Sequence, residues 1–285
     1  MTIILDGRKL ASKLNSELSQ EIKKIKQETG HTPSLATILV GTNPASEVYI
    51  KIKHRTCQEV GINSLMISLD ENISSKKLIH KIEELNKDDN VHAILLQLPL
   101  PEPLRKETNK IIQKINPSKD VDGFSYINRG KLFDYKETLA PCTPKGIITL
   151  LEHYDIEIES KNVTIINRSN LVGKPLIFMF LNRNATITIC HSKTKNIENF
   201  MKQSDILIVA VGHPNFITKE KIKEGVVLID VGTNRVNGKL CGDVNYDEVF
   251  EKAYAITPNP GGIGPMTVAS LMQNTLICFK NQFNS

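Results

Sequence analysis

The chain contains no apolar run approaching the ~20 residues of a membrane span. Its N-terminal stretch Met1-Thr2-Ile3-Ile4-Leu5-Asp6 has no basic segment followed by a long apolar one. Neither membrane insertion nor a secretory leader is expected, and a reducing cytoplasm is the default location. The cysteines Cys57, Cys142, Cys190, Cys241 and Cys278 are odd in number, widely spaced and form no C-x-x-C. That pattern argues against a disulfide framework and a structural zinc site. The adjacent pair Cys190-His191 is poor spacing for metal ligands, and no metal is expected. No long Lys/Arg block occurs, and the net charge of +5 is mild, so no nucleic-acid partner is expected. Repeats and low-complexity segments are absent. So is the G-x-G-x-x-G dinucleotide fingerprint.

What remains is an ordinary globular composition, 40% hydrophobic and 24% charged over 285 residues, which suits about two domains. Short β-branched runs alternate with helical stretches, an α/β pattern of parallel βαβ units. The first set comprises strands 35–40, 64–69 and 93–98, with helices 44–60, 75–86 and roughly 104–115. The loop from Pro117 to Gly123 is a sensible hand-over between domains. A helix follows to about His153, with Thr143 as N-cap and Pro144 at its first position. The second set places strands at 163–167, 185–190, 205–211 and 226–231, with helices at 174–181, 197–203 and 219–223. Four strands with short crossovers fit a Rossmann-type sheet. An apolar helix 266–279 follows a Gly/Pro segment.

Tyr49 and Lys53 carry the first chemical signal. Asn43 suits a helix N-cap, Pro44 the first helical position and Gly61 the stop. Residues four apart share a helix face, so a phenol and an ammonium point together near the end of strand 35–40. Such a pair can polarise a substrate and move protons; a solvated Lys beside a half-buried Tyr is the plainer alternative.

The second signal is Asn167-Arg168-Ser169-Asn170-Leu171-Val172-Gly173-Lys174-Pro175, between a buried strand and a helix. Small and polar residues there leave backbone N–H groups for an anion at a helix N-terminus, and Arg168 adds a donor fork suited to phosphate. A plain turn is the competing reading. The next strand ends in Cys190-His191-Ser192-Lys193-Thr194, with no carboxylate for a ribose 2′-hydroxyl, which favours NADP over NAD. Thirdly, Pro260, Gly261, Gly262 and Gly264 form a turn that lets backbone approach a ligand, or simply connects into the last helix. Asp120 and Asp122 are equally open between turn capping and carboxylates facing the N–H groups of a flat heterocycle.

Together these segments resemble the bifunctional methylenetetrahydrofolate dehydrogenase/methenyltetrahydrofolate cyclohydrolase family over almost the whole chain. The matching motifs, in order, are Val40 to Ser46 with Tyr49 and Lys53; Gln97-Leu98-Pro99-Leu100-Pro101; Lys119 to Gly123; and Pro141 to Gly146. Arg168 to Pro175, Cys190-His191-Ser192, Asp230-Val231-Gly232, Gly242-Asp243-Val244 and Pro258 to Thr267 complete the set. The resemblance implies a substrate domain, residues 1–140 with the C-terminal helix 266–285 packing back on it, a Rossmann-type NADP domain, residues 141–265, and a cleft between them. It implies a homodimer acting on tetrahydrofolate derivatives, polyglutamylated ones among them. NADP⁺-dependent oxidation of 5,10-methylenetetrahydrofolate would be followed by hydrolysis of the methenyl product to 10-formyltetrahydrofolate.

By that resemblance Lys53 is the central catalytic residue, Tyr49 stacks on or orients the folate, Gln97 holds Lys53 and the reacting groups, and Asp122 anchors the pterin. Leu98, Pro260, Gly261 and Gly262 would pass close to the folate. Asn167, Arg168, Ser169, Ser192 and Thr233 would meet the cofactor. Two positions depart from the family pattern. Asn167 replaces a usual Gly, where a left-handed Asn backbone would let the turn survive, and Thr233 replaces a frequent Ile. A short-chain dehydrogenase also uses Y-x-x-x-K, but after its dinucleotide turn and in the same domain, whereas Tyr49 and Lys53 precede Arg168 by over a hundred residues. A non-enzymatic binding protein would have lost Lys53, Gln97 or Asp122. A single-activity member of the family stays open.

Overall fold

The structure is a computed structural model that describes residues 1–236 and 238–283. The chain divides into two compact units. One comprises Met1–Ser12, Leu132–Glu137 and Thr143–Thr267; the other comprises Lys13–Lys131, Thr138–Cys142 and the chain from Val268 onward. These units cross the 1–140 and 141–265 division at its edges. Met1–Ser12 clusters with the later unit because the first strand pairs with one near residue 255.

In chain order, β1 (Ile3–Ile4) leads into α1 (Gly7–Thr29), a long helix whose start is capped by Asp6 Oδ1 accepting the Lys9 N–H at 2.9 Å. Then come β2 (Ser34–Val40), α2 (Pro44–Val60), β3 (Asn63–Leu69), α3 (Ser75–Lys87) and β4 (Ala93–Leu96). These strands form a parallel sheet of order β3-β2-β4. The central β2 is buried along its whole length, as a strand with both faces covered should be. The helical stretch expected near 104–115 is two pieces, α4 (Glu102–Arg105) and α5 (Thr108–Ile112). Thr108 Oγ1 donates to the Arg105 carbonyl at 2.8 Å, the local side-chain bond that competes with helix continuation. α6 (Tyr126–Phe133) closes this part.

The following helix, α7 (Cys142–His153), begins one residue before the expected Thr143 cap; the Thr143 hydroxyl instead pairs with that of Thr267 at 3.0 Å. Next are β5 (Asn162–Ile166), α8 (Gly173–Leu181), β6 (Thr186–Cys190), α9 (Ile197–Gln203), β7 (Ile206–Val209) and β8 (Val226–Asp230). The short helix expected at 219–223 is a single 3-10 turn, Lys219–Lys221. A small hairpin of β9 (Asn234–Val236) and β10 (Lys239–Cys241) precedes α10 (Tyr246–Val249), β11 (Ala253–Ile256) and α11 (Ile263–Phe283). The sheet has six strands rather than four, in the order β1-β11-β8-β7-β5-β6. Every neighbouring pair in it is parallel. The order in which strands are added reverses at β5, with β6 on one side and β7 on the other, a topological switch point where α/β sheets bind ligands outside their carboxyl ends.

From Val268 onward α11 belongs to the unit of the three-stranded sheet. There Val268, Leu271, Met272, Leu276 and Phe279 pack with Leu18, Ile22, Leu35 and Cys57 in one core. Each fully buried aliphatic side chain of this kind contributes about 1.5–3 kcal/mol, which fixes the helix against α1 and α2.

Candidate active site

Lys53 and Gln97 meet beside the three-stranded sheet. α2 starts on cue: Asn43 Oδ1 accepts the Ser46 N–H at 3.1 Å, Pro44 occupies the first turn, and Gly61 closes the helix at φ 87°. Lys53 thereby projects from the helix that follows β2. β4 ends at Leu96, short of the expected Leu98, and Gln97 makes a last ladder bond to the Ile38 carbonyl at 2.9 Å. Lys53 Nζ donates to Gln97 Oε1 at 3.0 Å, while Gln97 Nε2 donates to the Leu98 carbonyl at 2.7 Å. With its nitrogen committed to that carbonyl, the amide must turn its oxygen to the lysine. Tyr49 lies one turn earlier and is exposed.

Asp120 and Asp122 separate cleanly. Asp120 is buried beside Ile94, which it bridges. It accepts the N–H groups of Phe124 (3.1 Å) and Ser125 (2.7 Å) and Asn128 Nδ2 (3.0 Å). It is the turn-forming carboxylate. Asp122 has the perturbed carboxyl: burial pushes it up to about 6, against the opposing pull of the Lys53 charge. Asp120 adds to the rise, and a hydrogen bond with Cys142 opposes it. A carboxylate in that range beside a lysine is a perturbed pair of the sort functional sites collect. Cys57, one turn beyond Lys53, is buried and its thiol is raised to about 11, chiefly by desolvation.

Asn274 was not singled out from sequence, yet it supports Asp122. Its amide nitrogen donates to the carbonyls of Val121 and Ala140, each at 2.9 Å. The one available signal was a polar side chain inside an apolar helix, which must find partners when buried.

The other candidate residues lie in the unit of the six-stranded sheet. Asn167 follows β5 at the switch point, and its backbone is not left-handed, contrary to the expectation for a Gly replacement. The side chain makes the turn instead. Asn167 Oδ1 accepts the N–H groups of Ser169 (2.8 Å) and Gly173 (3.0 Å), and Nδ2 donates to the Ala210 carbonyl at 2.6 Å. Ser169 Oγ accepts the Val172 N–H at 3.1 Å. The N–H groups expected to be open to an anion are therefore partly taken by the turn's own side chains. A Cβ on Gly173 would lie 2.1 Å from the Asn167 carbonyl, so only glycine permits this closeness. Arg168 and Ser192 are exposed at the ends of β5 and β6, and Thr233 is exposed after β8. The β6 loop is held by the His191 N–H to Thr194 Oγ1 (2.9 Å) and the Lys193 N–H to His191 Nδ1 (3.1 Å). Exposed guanidinium, hydroxyl and ammonium groups without a carboxylate fit a phosphorylated dinucleotide.

Gly261 adopts φ 118°, and its carbonyl accepts the Arg8 N–H at 2.8 Å. A Cβ on Gly7 would lie 1.9 Å from the Gly262 carbonyl. The tight course of this turn is thus needed for packing on the start of α1; Pro260 beside it is exposed. Sequence reasoning also assigned no part to Asp230 and Asp243, both buried. Burial raises the Asp230 carboxyl to about 6, with hydrogen bonds from the Asp243, Val244 and Gly232 backbone opposing.

Comparison with known proteins decides the family. The model of the tetrahydrofolate dehydrogenase/cyclohydrolase catalytic domain matches residues 5–122, and that of the NAD(P)-binding domain matches residues 141–283. The chain belongs to the tetrahydrofolate dehydrogenase/cyclohydrolase family. It is 49% identical over 280 residues to the bifunctional protein FolD of Thermodesulfovibrio yellowstonii, covering 98% of this chain and 97% of that one. The crystal structure of the bifunctional FolD enzyme from Campylobacter jejuni superposes with a TM-score of 0.95 at 46% identity, covering 99% of both chains. FolD from Trypanosoma brucei, solved with NADP cofactor and an inhibitor, gives a TM-score of 0.95 at 33% identity, covering 100% of this chain and 99% of that one. The α/β fold and the C-terminal helix packed on the catalytic unit agree with this family. As a FolD-family member the chain is an enzyme of folate one-carbon chemistry, both oxidoreductase and hydrolase, with an NAD(P)-binding domain.

Proposed function

We propose that the Lys53–Gln97–Asp122 group is the shared catalytic centre for both reactions: oxidation of 5,10-methylenetetrahydrofolate with NADP⁺, then hydrolysis of the methenyl product to 10-formyltetrahydrofolate. The observation that carries this reading is the 3.0 Å bond from Lys53 Nζ to Gln97 Oε1 beside the raised Asp122 carboxyl. Lys53 handles the proton of the attacking water, and Gln97 fixes where its nitrogen sits. Asp122 accepts hydrogen bonds from the pterin amino and ring N–H groups. Tyr49 stacks on or orients the folate; Leu98, Pro260, Gly261 and Gly262 line its course.

NADP⁺ supplies the hydride acceptor, so for that step the protein contributes orientation. Arg168, Ser169 and Ser192 hold its phosphates, Asn167 shapes the turn, and Thr233 meets it through backbone. The exposed Arg168 and the lack of a carboxylate after β6 favour NADP over NAD. Functionally, residues 1–140 with the chain from Met266 onward serve folate, and residues 141–265 serve the cofactor. We further infer a cytoplasmic homodimer that accepts polyglutamylated folates. Among the described residues no helix is long and apolar enough to cross a membrane.

Two absorbance assays on one preparation test the reading: NADPH formation from methylenetetrahydrofolate, and decay of methenyltetrahydrofolate. Both activities are expected. Folded protein lacking both would overturn it, and equal use of NAD would overturn the cofactor preference.

A further inference from the structure

Two buried carboxylates tie together the carboxyl ends of β7 and β8, and the reading above gives neither a part. Asp243 Oδ2 accepts the N–H groups of Val211 (2.6 Å) and Gly212 (3.0 Å). Its Oδ1 accepts the His213 N–H and Asn234 Nδ2, both at 2.8 Å. Asp230 seats Asp243 in turn: its Oδ1 accepts the N–H groups of Gly232 (2.9 Å) and Asp243 (3.0 Å), and its Oδ2 accepts that of Val244 (3.1 Å). Two glycines make room for them. A Cβ on Gly232 would lie 2.2 Å from Asp243 Cγ, and one on Gly242 would lie 1.6 Å from Asp230 Oδ2.

Burying two carboxylates near one another is costly unless their hydrogen bonds are nearly complete. An apolar pair in their place would leave those backbone N–H groups unpaired, at a cost for each. What the carboxylates uniquely supply is direction: three successive N–H groups converge on one side chain, which fixes the course of Val211–His213. That segment borders the switch point directly, because Asn167 Nδ2 holds the carbonyl of Ala210, the residue before it, at 2.6 Å. On its other side Asp230 holds the Gly232 N–H, immediately before Thr233.

We propose that Asp243, seated by Asp230, is a positioning residue for cofactor use: it sets the Val211–His213 and Gly232–Thr233 backbone that faces the dinucleotide. The inference rests on the reading that NADP(H) docks at the carboxyl end of the six-stranded sheet. Asp243→Asn keeps the side chain's shape but turns one acceptor into a donor facing backbone N–H groups. NADPH affinity, by fluorescence titration, and KM for NADP⁺ are expected to weaken about tenfold or more, the size of a lost charge-assisted hydrogen bond, with methenyltetrahydrofolate hydrolysis held within about twofold. Asn234→Ala removes one donor to Asp243 and should give the same pattern at roughly threefold.

Unchanged NADPH affinity in folded Asp243→Asn overturns the proposal, as does an equal loss of hydrolysis. Should that variant not fold, unchanged affinity in Asn234→Ala overturns it. Unmodified protein that binds no NADPH would instead remove the cofactor reading beneath it.

Discussion

Lys53 Nζ donates to Gln97 Oε1 across 3.0 Å, joining the helix after β2 to the end of β4. Removing either partner separates the two halves of the catalytic argument. Lys53→Met should lower methenyltetrahydrofolate hydrolysis by about 10²-fold or more, the usual scale for a lost proton-transfer group. NADPH affinity should stay unchanged, since Lys53 lies in the other compact unit. Normal hydrolysis by this variant would sink the assigned role.

Asp122 links stability to pH. Its carboxyl is raised from 3.8 to about 6, chiefly by burial, so the folded state binds its proton more tightly than the unfolded chain. The stability this confers is fully present below about pH 4 and is lost as pH rises through about 6. Asp122→Asn cannot ionise. It should be more stable than the parent at pH 8 by roughly 1–2 kcal/mol, after allowance for partial exposure, with the difference vanishing near pH 4. Thermal melts across that range would show it, while KM for folate rises. An equal offset at both ends would refute the titration.

Arg168 should matter more than a bystander at a helix N-terminus. The N–H groups of Ser169, Val172 and Gly173 are already engaged by Asn167 and Ser169, which leaves fewer of them for an anion. Arg168→Ala is expected to raise KM for NADP⁺ by about tenfold or more, as loss of a charged phosphate contact does. The discrimination against NAD should narrow with it. A variant with unchanged NADP⁺/NAD preference would show that Arg168 does not read the 2′-phosphate.

Thiol chemistry gives an independent check on the core. Cys57, Cys142, Cys190 and Cys278 are buried and Cys241 is partly exposed. Burial raises the Cys57 thiol to about 11 and moves Cys190 upward too, leaving little reactive thiolate at pH 8. A colorimetric thiol reagent should therefore find about one fast-reacting group in the native chain, at Cys241, and all five after denaturation. Rapid reaction of Cys57 in folded protein would contradict the packing under Lys53.

Elements with local punctuation were legible in the sequence. α2 runs Pro44–Val60 as expected, because Asn43, Pro44 and Gly61 each act within a few residues. β11 was missed since its four residues sit between two partners, β8 and the distant Ile3 and Ile4, that no local pattern announces. The site divides the same way. Gln97 follows a strand end, and Lys53 lies inside a helix whose two bounds are locally marked. The division of labour between Asp120 and Asp122 needed the Phe124, Ser125 and Asn128 donors in place. The turn at Asn167 is built by its side chain without a left-handed backbone, which no local pattern announces.

The amide of Asn274 holds Val121 and Ala140 from 153 and 134 positions further along the chain. A polypeptide emerging from the ribosome in order thus carries Lys53, Gln97 and Asp122 well before the prop beneath Asp122 exists. The Val121 and Ala140 carbonyls gain that partner only after α11 has been made and has docked, so the unit that carries Lys53 is completed by a helix made long after it.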